Sequence, residues 1–72
     1  MMQSTVILDV ESGKEKFLAS ILKYISNVQK VTFGHDELLV TLQTRSQEDF
    51  DMMVDVLKNM IYVRGVYIPE PA

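Results

Sequence analysis

Cysteine is absent from this chain of 72 residues, so neither disulfides nor thiolate metal sites can brace it. That absence fits a reducing or an oxidising compartment alike and decides nothing about location. His35 is the single histidine, and without cysteine it leaves no ligand set for a first-row transition metal. No apolar run approaches the ~18 residues that span a bilayer. Met1-Met2-Gln3-Ser4 has neither the charged start nor the long apolar core of a secretory signal. The expectation is a cytoplasmic protein with no membrane partner. Positive charge is scarce: seven Lys and Arg stand against ten Asp and Glu, a net charge of −3. Phosphate binding needs a concentrated positive field, so this balance argues against a nucleic-acid partner. There is no Gly-rich phosphate loop and no Gly-x-Ser-x-Gly elbow. Ser20, Ser26 and Ser46 fall at helix-face or cap positions. The chain is therefore read as non-enzymatic and as needing no cofactor.

What is present is an ordinary globular composition, 47% hydrophobic and 24% charged. A chain of this length makes one domain, residues 1–72, with 69–72 as an extended tail. Such a domain buries only about 60% of the surface its unfolded chain exposes, so association is a common support.

Leu38-Leu39-Val40-Thr41-Leu42-Gln43-Thr44 is the most strand-like run. Leu38, Val40 and Leu42 share one face, Leu39, Thr41 and Gln43 the other, as suits a strand in the middle of a sheet. Thr5 to Glu11 alternates too: Val6, Leu8 and Val10 point one way, Thr5, Asp9 and Glu11 the other, with Ile7 as the odd apolar residue outside. Ser12-Gly13-Lys14-Glu15 has the spacing of a capping box. Phe17, Leu18, Ile21, Leu22 and Ile25 then form a helical stripe, and Asn27 is the expected stop.

Val28 to Phe33 is a second strand with Val31 and Phe33 inward, joined through the turn Gly34-His35-Asp36-Glu37 to the organising strand. Thr44 to Gln47 offers another capping box, with Ser46 as a competing cap. Phe50, Met53, Val54, Leu57 and Met60 line one face of the helix that follows. Ile61 to Ile68 is the last strand, with Gly65 as a bulge or close-approach point.

The halves echo each other. A shift of 35 positions carries Leu18, Leu22, Lys23, Ile25, Val28, Val31 and Phe33 onto Met53, Leu57, Lys58, Met60, Val63, Val66 and Ile68. A duplicated βαβ unit closes as an α+β, ferredoxin-like βαββαβ split sandwich: a four-stranded antiparallel sheet with two helices on one face. The first and third strands are expected at the centre. The face without helices would carry Thr5, Ile7, Asp9, Lys30, Thr32, Leu39, Thr41 and Gln43, with Tyr67 or Arg64 from the last strand.

Ile7, Asp9, Glu11, Leu39, Thr41 and Tyr67 are the candidate binding residues. A mostly polar, solvated face is the plain reading; a docking surface for a second copy or another protein is the functional one. The free edges of the second and fourth strands are a further candidate, with Lys30 and Arg64 as guards against aggregation. His35 reads as a solvated turn residue. Glu48, Asp51 and Asp55 share a helix face and read as a solvated acidic face before a cation site. Residues 13–35 hold four Lys against one Glu, and residues 36–60 hold six acids against Arg45 and Lys58. Side by side, the two helices are expected to complement each other internally.

Family signatures narrow the field. RNA-recognition motifs carry stacking aromatics on the central strands, which have none here. Heavy-metal-associated domains need a Cys pair, and acylphosphatases an Arg, where this chain has Glu11-Ser12-Gly13. The helix-to-strand junctions leading into Val28-Gln29-Lys30-Val31 and Val63-Arg64-Gly65-Val66-Tyr67-Ile68 resemble those of ACT and related regulatory domains. Gly65-Val66 followed by a short tail also resembles the NapD assembly chaperones of periplasmic nitrate reductase.

The NapD resemblance implies a twin-arginine signal peptide bound on the sheet side, with Asp9 and Glu11 supplying acid. The ACT resemblance implies an amino-acid ligand at a dimer interface, held by a Gly-containing loop, for which Ser12-Gly13 is the nearest match. The leading expectation is a non-catalytic protein- or peptide-binding module, a chaperone or an accessory or regulatory subunit. The alternative is an ACT-like amino-acid sensor acting as a dimer.

Overall fold

The computed structural model describes residues 2–69. The elements run β1 (Met2–Val10), α1 (Glu15–Leu22), β2 (Val28–Phe33), β3 (Glu37–Thr44), α2 (Gln47–Lys58) and β4 (Val63–Tyr67). The strands form one antiparallel sheet in the order β2-β3-β1-β4, which is the ferredoxin-like βαββαβ fold with β1 and β3 at the centre. Both helices cover the same face. Val6, Leu8 and Val10 of β1 and Leu38, Val40 and Leu42 of β3 are fully buried beneath Leu18 and Leu22 of α1 and Phe50, Met53 and Leu57 of α2. The period-2 pattern of each central strand thus puts every second side chain into one core.

The edge strands repeat each other in detail. β2 is bulged between Val28 and Lys30, so Gln29 is its extra residue. β4 pairs Val63 with Val10 and Gly65 with Asp9, so Arg64 is the extra residue there. Gln29 and Arg64 lie 35 positions apart, the period of the sequence echo. Each bulge follows a helix-to-strand turn and bends an otherwise open edge.

Local chemistry departs from the expected pattern at several points. The Ser12–Glu15 capping box does not form: Gly13 turns left-handed at φ +87°, and Lys14 becomes the N-cap with no side-chain cap bond. Ser12 is thereby left two residues outside the helix. α1 ends at Leu22, before Asn27, where the Tyr24 and Ile25 N–H groups donate to Ile21 and Leu22 in tight three-residue turns.

The Thr44–Gln47 box is absent because Thr44 is the buried last residue of β3. Ser46 caps α2 instead, its hydroxyl accepting from the Asp49 N–H at 3.1 Å, while the Asp49 carboxylate accepts from the Arg45 N–H at 3.0 Å. Glu37 belongs to β3 rather than to the turn, and the last strand is shorter than Ile61–Ile68 because Ile61 and Tyr62 form the turn before it.

Phe17 and Phe33, expected inward, are both about half exposed. Phe17 lies on the flank of α1, edge-on to Tyr62. Phe33 points to the helix side, but from an edge strand where little covers it. Pro69 follows β4 and is exposed; the rest of the expected tail, residues 70–72, lies outside the described residues.

Candidate functional site

The sheet face opposite the helices gathers the expected residues into rows. Thr32, Leu39, Ile7 and Tyr67 stand in register across all four strands, since Thr32 pairs with Leu39, Leu39 with Ile7 and Ile7 with Tyr67. Ile7 and Leu39 are therefore direct cross-strand neighbours in the middle of the sheet, where paired side chains touch. The register settles the fourth strand's contribution: Tyr67 joins the row, and Arg64 sits in the bulge. Gly65 lies beside the Tyr67 side chain, where a Cβ would sit 3.4 Å from the Tyr67 hydroxyl oxygen, an ordinary van der Waals contact.

One step along the strands lies a polar row. Thr5 pairs with Thr41, their hydroxyls 3.5 Å apart, and Thr41 pairs with Lys30. Beyond it the Gln3 amide donates to the Gln29 side-chain oxygen at 2.7 Å. An open depression of about 610 Å³ lies over Gln3, Thr5, Gln29, Lys30 and Thr41. At the opposite end Asp9 pairs with Glu37, which places two carboxylates side by side. The face is thus an aliphatic and aromatic row, with acid at one end and Lys30 among hydroxyls and amides at the other.

Five of the six candidate residues meet here: Ile7, Asp9, Leu39, Thr41 and Tyr67. Glu11 does not. β1 ends at Val10, and Glu11 turns into the next loop, where its N–H donates to the Tyr62 carbonyl at 2.9 Å. Glu37 takes the acidic place expected for Glu11. The sequence signal for it is the pairing of β1 and β3, which opposes residues 9 and 37 once the hairpin turn closes one residue earlier.

His35 is exposed at the β2–β3 turn and lies 3.7 Å from Asp36. Among the described residues no group of three or more His, Asp or Glu side chains is placed to hold a metal ion. No helix among them is long and apolar enough to cross a membrane.

A second concavity of about 460 Å³ lies beside the loop after β1, lined by Gly13, Glu15, Lys16, Phe33 and Gly34. It combines the one left-handed glycine loop with an exposed aromatic ring.

No family model matches the chain, and no curated protein matches it. Among solved structures, the crystal structure of hypothetical protein PHS023 from Pyrococcus horikoshii is similar, with a TM-score of 0.76 and 21% sequence identity over 99% of this chain and 93% of that one. At this identity the likeness concerns the fold alone, and it carries the ferredoxin-like topology without a named family.

Proposed function

We propose that this chain is a non-catalytic protein-interaction module and that the occupant of its open sheet face is a second copy of itself. The observation that carries the reading is the Tyr67–Ile7–Leu39–Thr32 row, which puts adjacent aliphatic side chains on the two central strands of a face that no helix covers. Burying Ile7 and Leu39 against their counterparts would remove apolar area from water at about 25 cal/mol per Å².

Charge selects how the second copy sits. A twofold axis along the strands would set the Asp9–Glu37 end of one copy on the same end of the other, acid on acid. An axis across the strands sets that end over Thr5 and Thr41, beside Lys30. The second arrangement is the complementary one, two sheets stacked at the usual ~10 Å.

Sedimentation of the wild type and of Leu39→Asp tests this, with circular dichroism to confirm that the variant folds. The expected result is that the wild type associates and the folded variant loses that association step. A wild type that stays monomeric would overturn the reading. So would a basic peptide seated at the Asp9–Glu37 end in place of a second copy, the NapD-like outcome.

The concavity beside Gly13 supports a second reading, the ACT-like one, in which a small amino acid is held by the loop after β1. A thermal-shift screen of free amino acids addresses it. A saturable rise in melting temperature with one amino acid, abolished by Gly13→Val, would favour the sensor over the docking module.

A further inference from the structure

β2 is an edge strand with a groove beside it. The Gly34 N–H donates to the Glu37 carbonyl and the Gln43 N–H to the Asn27 carbonyl, so the odd-numbered residues of β3 turn their backbone groups toward β2. Their partners in register, Lys30 opposite Thr41 and Thr32 opposite Leu39, face inward to that ladder. Alternation then directs the N–H and C=O groups of Val31 and Phe33 outward, where the sheet has no further strand.

The side chains of Val31 and Phe33 stand on the helix side, since they pair with the buried Val40 and Leu38. Two concavities follow them along the edge. One of about 290 Å³ is lined by Ala19 and Lys23 of α1 with Val28, Gln29, Lys30 and Val31. The other is the concavity of Gly13, Glu15, Lys16, Phe33 and Gly34. The sequence echo shows what is particular to this edge. Where α1 has the small Ala19, α2 has Val54, which packs against the core, and the counterpart of Lys30 is Gly65.

Charge differs between the two concavities. The first is lined by two ammonium groups, Lys23 and Lys30, and by no carboxylate. Lys23 rests over the Tyr24 ring, 5.9 Å from its centroid, and keeps its charge there. Among the described residues the sole ion pair within 4 Å is His35 with Asp36. Neither lysine is therefore neutralised, and the expected internal pairing of a basic helix with an acidic one does not occur. The second concavity is balanced: Lys16 stands with Glu15, and the Glu37 side chain lies beside Gly34. What it offers is the half-exposed Phe33 ring.

We propose that the β2 edge takes up an extended segment of another protein as a fifth strand, antiparallel to β2, with a carboxylate beside Lys23 and Lys30 and an apolar side chain over Phe33. Main-chain bonds to Val31 and Phe33 hold the segment. Its side chains two residues apart, about 7 Å along a strand, enter the two concavities. A second copy fits this edge less well, because the chain's own edge strands carry Lys30 and Arg64 and no acid. The edge is separate from the open sheet face, and the proposal stands whether or not that face is occupied.

The test is fluorescence anisotropy with full-length protein and a labelled heptapeptide, Ser-Thr-Leu-Thr-Glu-Glu-Ser. Saturable binding is expected, at least about tenfold weaker when both peptide glutamates are replaced by lysine. Protein carrying Lys23→Glu and Lys30→Glu, shown to be folded by circular dichroism, should reverse that preference. In the peptide, N-methylation of the leucine and first glutamate amides, which face β2, should abolish binding. N-methylation of the two threonine amides, which face solvent, should leave it. No saturable binding, indifference to charge, or any other outcome of the two methylations would overturn the proposal. So would association of the wild type that the peptide competes away, which would make a second copy the occupant of this edge. The readout is peptide on protein, so a monomeric wild type, which overturns the sheet-face reading, leaves this test intact.

Discussion

Asn27 and Tyr62 hold the same station in the two halves of the molecule. Each precedes an edge strand, and each carbonyl accepts from a residue at the end of a central strand: Gln43 N–H to Asn27 at 2.8 Å, and Glu11 N–H to Tyr62 at 2.9 Å. The turns leading there match as well, Val28 N–H to Ile25 and Val63 N–H to Met60. The side chains divide the labour differently. The Asn27 amide adds a bond to the Gln43 carbonyl at 3.0 Å, while the Tyr62 ring packs on Phe17 and lies 4.7 Å beneath the Lys14 ammonium. Asn27→Ala therefore removes one partly buried hydrogen bond and leaves the backbone pair, and urea unfolding is expected to show a loss of about 1 kcal/mol.

Caps distinguish the two helices. Ser46 accepts the Asp49 N–H and the Asp49 carboxylate accepts the Arg45 N–H, so Ser46→Ala should cost about 1 kcal/mol. Ser12 caps nothing, because Lys14 holds the N-cap position of α1. Ser12→Ala should leave the melting temperature where it is. Equal losses from the two substitutions, measured by thermal denaturation, would contradict this difference between the helices.

Gly13 has open space around its Cα, and a methyl group there would meet nothing within 4 Å, yet its φ is +87°. Cost and crowding separate cleanly here. Gly13→Ala should destabilise by about 1–2 kcal/mol through backbone conformation alone. Chemical denaturation would show a lower midpoint with an unchanged slope.

Thr44 is 1% exposed and its hydroxyl has no hydrogen-bond partner. A buried, unpaired hydroxyl costs on the order of 1–3 kcal/mol, and valine has the same shape without it. Thr44→Val should raise stability by about 1 kcal/mol, a rise of roughly 4–8 °C in melting temperature for a domain of this size. Thr44→Ser keeps the hydroxyl, removes a methyl and should lower it.

The order of elements, the central position of β1 and β3 and the composition of the open face are legible in the sequence, because alternation in a strand and spacing in a helix are local properties. Ile7, already out of step with its own strand, points to the face it occupies. The caps are not legible. Ser12 and Ser46 both precede an acidic residue three positions on, and only the left-handed turn at Gly13 disqualifies the first. Phe17 and Phe33 escape the core because spacing gives a face and not its cover: one looks along the helix seam, the other out from an edge strand.

The sequence alone determined which side chains share each face, since the chain's own periodicity dictates that. Only the tertiary structure decided how the faces are populated. Register, which sets Ile7 beside Leu39 and Asp9 beside Glu37, depends on where a turn closes and where a bulge inserts one residue. The separation of Lys16 and Lys23 from the acids of α2 depends on which flank each helix turns inward. Both are questions of packing between segments distant in sequence, and a local pattern carries no information about them.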